Sequence, residues 1–201
     1  HQYTAAPLFF GAALGAELFH PLDAGAHLVT TGMGPVYDGI GHLLLTPEDL
    51  IPAIAVALYA GLRGKDPCRK ALFLFPLAWL IGGFAGLMAA SAPVFPVQIL
   101  SFLALGGLIA SDLRLPDTIL TAMVIAVGSI HGFYNGIAME GGLGISGLFG
   151  VSSILFVLEA IAAALVISLK AAWTRVVVRV AGSWIVAVGL LMLGWMAKGA
   201  S

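Results

Sequence analysis

The feature that most constrains this chain is a series of long apolar runs. They cover about residues 47–62, 71–90, 93–110, 116–138, 143–169 and 176–197, and short polar turns separate them. A helix needs about 20 mostly apolar residues to cross a bilayer. The chain is 60% hydrophobic and only 9% charged, with a mean hydropathy of +1.05. A soluble domain carries about 25% charged residues. These numbers predict an all-α fold: a polytopic transmembrane helix bundle of six spans, embedded in a lipid bilayer, plus a short N-terminal hydrophobic segment. The 26 glycines suit helices that approach closely in lipid. Pro47, Pro93 and Pro116 stand where first helical turns begin, a position at which the missing N–H costs nothing. Thr46-Pro47-Glu48-Asp49 reads as an N-cap followed by acids at the positive helix end. Pro76 and Pro96 lie inside or near the ends of runs and are candidate kinks.

The first 26 residues form a segment of their own, followed by a 27–201 transmembrane domain. Ala5 to Phe19 is apolar but short for a span. It reads as a retained short helix, tilted or re-entrant. The rival is a signal segment ending at Ala24-Gly25-Ala26, although no basic residue precedes it. Cleavage there would make His27 an N-terminus whose amine and ring together suit copper. Cys68 is the only cysteine, which excludes an internal disulfide or a thiolate cluster. A net charge of −1 argues against a nucleic-acid partner.

Charge predicts orientation. Arg63, Lys65, Arg69, Lys70, Arg114, Lys170, Arg175 and Arg179 all fall on one side of a six-span chain, and Lys198 falls on the other. The positive-inside rule places the eight in the cytoplasm. Residues 27–47 and the C-terminus then lie outside, on the periplasmic face of a bacterial inner membrane. Trp173, Trp184 and Trp195 are positioned as interfacial anchors.

Two clusters carry chemistry. In the glycine-broken stretch 27–47, Asp38 and His42 are four apart and share a helix face. A carboxylate and an imidazole there suit outer-face capture of Ni, Co, Zn or Cu(II). The plainer alternative is a solvated turn with Asp38 as a local cap. In the fourth run, Ser129-Ile130-His131-Gly132-Phe133-Tyr134-Asn135-Gly136 puts His131 and Asn135 on one face. An ionisable residue within a span marks a candidate site; an interhelical hydrogen bond is the alternative. Metal ligands are therefore expected at Asp38, His42, His131 and Asn135. His131 is expected within direct or one-water reach of Asp38 or His42. Glycines 32, 34, 39 and 41 would let the outer segment fold back as irregular backbone. Glu159, alone in an apolar run, is either a deeper relay for a cation or a neutral packing acid. Asp112 and Asp117 read as caps or topology charges, and Glu140 as solvated.

Gly144-Ile145-Ser146-Gly147-Leu148-Phe149-Gly150 resembles the GxSGxxG of rhomboid proteases, with His131 and Asn135 mimicking their HxxxN. A serine nucleophile needs a base within hydrogen-bond reach. Rhomboids supply theirs downstream, and no histidine follows His131. The chain is not expected to be an enzyme.

TTGMGPVYDGIGHLLLTPEDLIPAIAVALYAGLRG, with SIHGFYNGIA further on, resembles the HupE/UreJ membrane proteins over about residues 27–197. That resemblance implies a six-span secondary permease for nickel or cobalt without an ATPase, with Asp38, His42 and His131 as the carried-over positions. The family's HPxxGxDH motif is matched by His20 to His27 only at its first two and last residues. The function expected is a secondary permease for a divalent transition metal ion, most of all nickel. The alternative is an accessory or structural subunit of a larger membrane enzyme complex, with metal loading as its task. Either could assemble as a homo-oligomer or within that complex.

Overall fold

A computed structural model of the chain describes residues 30–89, 91, 96–168 and 172–199. The expected N-terminal segment 1–26, His27 and the HPxxGxDH-like stretch lie outside the described residues. Among those described, all regular structure is helical. The seven helices are α1 (Pro35–Leu45), α2 (Pro47–Arg63), α3 (Lys65–Leu87), α4 (Val97–Ser111), α5 (Asp117–Met139), α6 (Gly144–Ser168) and α7 (Ala172–Gly199).

Four of these, α3, α5, α6 and α7, are long and apolar enough to cross a membrane. Against the expected six, the described residues thus show four unbroken spans. The first expected span is half of a broken pair: α1 and α2 together pass the same test but bend by 79° at Thr46. The third is α4, an apolar helix of only 15 residues. The bend has a local cause. Pro47 offers no N–H to continue α1, and Thr46 is extended at φ −106°. Thr46 does not cap α2 with its side chain as expected; its hydroxyl donates to the His42 carbonyl at 2.7 Å, satisfying an end of α1. Pro52 and Pro76 both lie inside helices, and Pro96 stands at the N-cap of α4.

Residues 35–45 are helix rather than irregular backbone. Asp38 and His42 therefore do share a face, and both are buried. The role of Gly39 also differs from the expected one. A Cβ on it would stand 2.2 Å from the Gly147 carbonyl oxygen, so this glycine lets α1 lie directly on α6. The same device joins α3 to α5. A Cβ on Gly132 would meet the Trp79 carbonyl oxygen at 2.1 Å, and one on Gly82 would meet that of Ser129 at 2.1 Å. This seam fixes the neighbours of His131. Helix α4 packs on α7 in the same way through Gly106 and Gly182, and α6 lies against α1, α2 and α3.

One end of the bundle is tied together by charge. Asp112 closes α4 in the left-handed region at φ 55° and pairs with both Arg63 and Arg175. Lys70 pairs with Asp117, and the Tyr59 hydroxyl donates to the Leu113 carbonyl at 2.7 Å. The α2–α3 turn, the α4–α5 turn and the start of α7 thus meet at one end. Trp173, Trp184 and Trp195 are all well exposed on α7.

Candidate functional site

The polar centre of the bundle is built around Asp49, in the first turn of α2. The bend at Thr46 turns this residue inward, and it is buried while the neighbouring carboxylate, Glu48, is exposed. Its Oδ1 lies 2.8 Å from His131 Nδ1, and its Oδ2 accepts from Asn135 Nδ2 at 2.7 Å. His131 and Asn135 occupy successive turns of α5, so one carboxylate spans both. The other imidazole nitrogen, Nε2, is 2.8 Å from Ser101 Oγ on α4. Trp79 of α3 stacks on the imidazole at 5.6 Å between ring centroids, an approach that the glycine seam permits.

The network assigns the tautomer. A carboxylate oxygen only accepts, so Nδ1 carries the proton and points it at Asp49. In the neutral ring Nε2 is then the bare lone pair, and the Ser101 hydroxyl donates to it. A carboxylate behind an imidazole fixes the ring's orientation and tautomer, the usual arrangement behind a metal-binding histidine. Two polar atoms at this centre, Asn135 Oδ1 and Trp79 Nε1, are buried without a hydrogen-bond partner among the described residues.

His42, at the end of α1, is buried and close enough to Asp49 to feel its charge. Asp38, one turn earlier, is engaged elsewhere: its Oδ1 accepts from the Thr31 N–H at 2.5 Å and the Thr31 hydroxyl at 2.6 Å. The expected hydrogen-bond partners of His131 are therefore corrected. Its two nitrogens face Asp49 and Ser101, not Asp38 or His42. Nor do Asp38, His42 and His131 converge: among the described residues no three His, Cys, Asp or Glu side chains are grouped to hold a metal ion. Of the expected ligands, His131 and Asn135 are brought together, through the carboxylate of Asp49 in the first turn of α2.

Asp49, His131 and Ser101 also stand in the order of a hydrolytic triad. Ser101 is the fifth residue of α4, so its own N–H is committed to the helix ladder and cannot stabilise an oxyanion.

No curated protein and no solved structure matches the chain. The family model described as HupE / UreJ protein matches residues 6–192, nearly the whole length. With its apolar helices and an internal carboxylate–imidazole pair, the chain is a membrane protein belonging to the HupE/UreJ family, which is associated with nickel and cobalt accessory or transport roles.

Proposed function

We propose that this protein is a secondary permease for a divalent transition metal ion, nickel or cobalt, and that His131 Nε2 is its principal ligand within the bundle. The observation that carries this reading is the Asp49–His131 hydrogen bond. It fixes the ring so that the Nε2 lone pair faces Ser101, inside a membrane helix. An incoming ion would displace the serine hydroxyl from Nε2. Asn135 Oδ1 supplies a second donor without a competing partner. Nitrogen and oxygen donors of this kind suit nickel and cobalt. The cation also offsets the negative charge of Asp49, which is costly at membrane depth.

The reading includes a topology. The broken α1–α2 pair and the short α4 each complete a crossing, giving six. The ion-paired end lies in the cytoplasm and α1 at the periplasmic face of a bacterial inner membrane. Asp38 and His42 then receive the ion outside, and the charge of Asp49 draws it past His42 to His131. Uptake would run down the membrane potential; a divalent ion gains about 4.6 kcal/mol per 100 mV of inside-negative potential.

The test is radiolabelled nickel entry into proteoliposomes under an imposed potassium diffusion potential. Entry faster than into empty liposomes, and accelerated by an inside-negative potential, is the expected result. Entry at the empty-liposome rate would remove transport and leave the accessory-subunit alternative.

A further inference from the structure

Glu159 is the most conspicuous group that the site above does not use. It lies within α6, is 1% exposed, and both its carboxyl oxygens are buried without a hydrogen-bond partner among the described residues. A lone carboxylate in that position cannot remain ionised without a counter-charge; it either holds a proton or binds a cation. No other titratable side chain stands on α6.

Its placement follows from the packing of α6 on α3. Phe84 meets Phe149 near one end, and Phe73 meets Phe156 further along, so the two helices run antiparallel. Leu148 fills the space in front of Gly83. One turn beyond Leu148, Ser152 falls level with Trp79 and hence with His131. Its hydroxyl oxygen is likewise buried without a partner. Glu159 follows seven residues later on the same face, about 10 Å deeper at 1.5 Å per residue. That brings it toward Cys68, the buried thiol in the first turns of α3, with which it interacts electrostatically. On the α2 side, residues 50–58 carry no titratable group. Asp38 and His42 of α1 lie at the opposite end, where Gly39 meets Gly147.

We propose that Glu159 is a second cation site, protonated when empty, which exchanges its proton for a divalent transition metal ion arriving from the His131 centre. The carboxyl O–H breaks, the carboxylate oxygen takes the metal, and the proton leaves to water. Ser152 marks the polar step between the two sites. Only the direction of travel rests on the permease reading; proton-for-metal exchange at Glu159 does not.

The experiment is infrared difference spectroscopy of the full chain in lipid, recorded on addition of nickel chloride, with E159Q as the reference. Glutamine keeps the shape and neutrality of the protonated acid, so the variant retains the fold. Loss of a protonated-carboxyl C=O band on nickel addition, absent from E159Q, is the expected result. A wild-type spectrum without that loss, or an E159Q spectrum identical to wild type, overturns the proposal. Nickel entry measured on the same liposomes separates the two ideas. Entry without the band change removes only the Glu159 site. The band change without entry removes only transport.

Discussion

Asp49 Oδ1 and His131 Nδ1 lie 2.8 Å apart although 82 residues separate them in sequence. Both side chains are buried, and the carboxylate's second oxygen is held by Asn135. One acid thus ties the start of α2 to the C-terminal half of α5, and the bend at Thr46 and the glycine seam at Trp79 serve to bring them together.

The pair should behave as a unit in stability. Asp49→Asn and His131→Gln each leave a buried partner unsatisfied, at a cost of about 1–3 kcal/mol. The double variant should lose less than the sum of the two, with a coupling energy of about 0.5–3 kcal/mol. Unfolding of the purified chain in detergent measures this; strict additivity would mean that the two side chains do not interact.

Ser101 should compete with the ion rather than serve it. Ser101→Ala frees His131 Nε2, so nickel binding by the purified chain should be unchanged or tighter by isothermal titration. A loss of 10-fold or more would make the hydroxyl a ligand.

The α3–α5 seam should be intolerant of a single methyl group. Gly132→Ala places a Cβ against the Trp79 carbonyl, and backbone cannot yield as a side-chain tip can. Overpacking of this kind costs about 1–3 kcal/mol. Gly107→Ala and Gly194→Ala, which face open space, should be neutral or stabilising by up to about 1 kcal/mol. Thermal midpoints of the three variants make the comparison.

At the ion-paired end, the order of effects should follow burial. The Arg63 side chain is 6% exposed and that of Arg175 is 43% exposed, yet both pair with Asp112. Asp112→Ala strands a buried guanidinium and should cost about 3 kcal/mol or more. Arg175→Ala should cost under about 1 kcal/mol. Equal effects of the two substitutions in denaturant unfolding would contradict the arrangement.

The helical architecture was largely legible in the sequence, because length and apolarity alone decide whether a segment can cross lipid. The boundaries at Pro47, Gly144 and Ser168 fall close to those expected. The count of unbroken spans was less legible. The 79° bend depends on how Thr46 and Pro47 are packed, and a hydropathy run does not carry that information. At the site, His131 and Asn135 were found because polar groups stand out in an apolar helix. Asp49 was missed because it sits in a first turn, where acids are favoured by the helix dipole alone. Helical spacing did not single it out either: Asp49 falls four residues before Ala53 and seven before Val56, but Glu48 falls four before Pro52 and seven before Ala55, and all four of these are buried. Ser101 and Trp79 carried no signal, since serine and tryptophan are ordinary in such helices. Asp38 and His42 were correctly placed on one face. Their convergence with His131 did not follow, because Thr31 and Asp49 offered nearer partners.

The account turns on Asp49 acting behind His131. The direct measurement is the initial rate of nickel entry into proteoliposomes at low nickel, comparing wild type with Asp49→Asn, His131→Ala and Glu48→Gln. Asp49→Asn should fall by about 10- to 100-fold, the usual cost of losing the partner behind a metal-binding histidine. His131→Ala should fall at least as far, and Glu48→Gln should match wild type. Wild-type rates in both Asp49→Asn and His131→Ala would contradict the account.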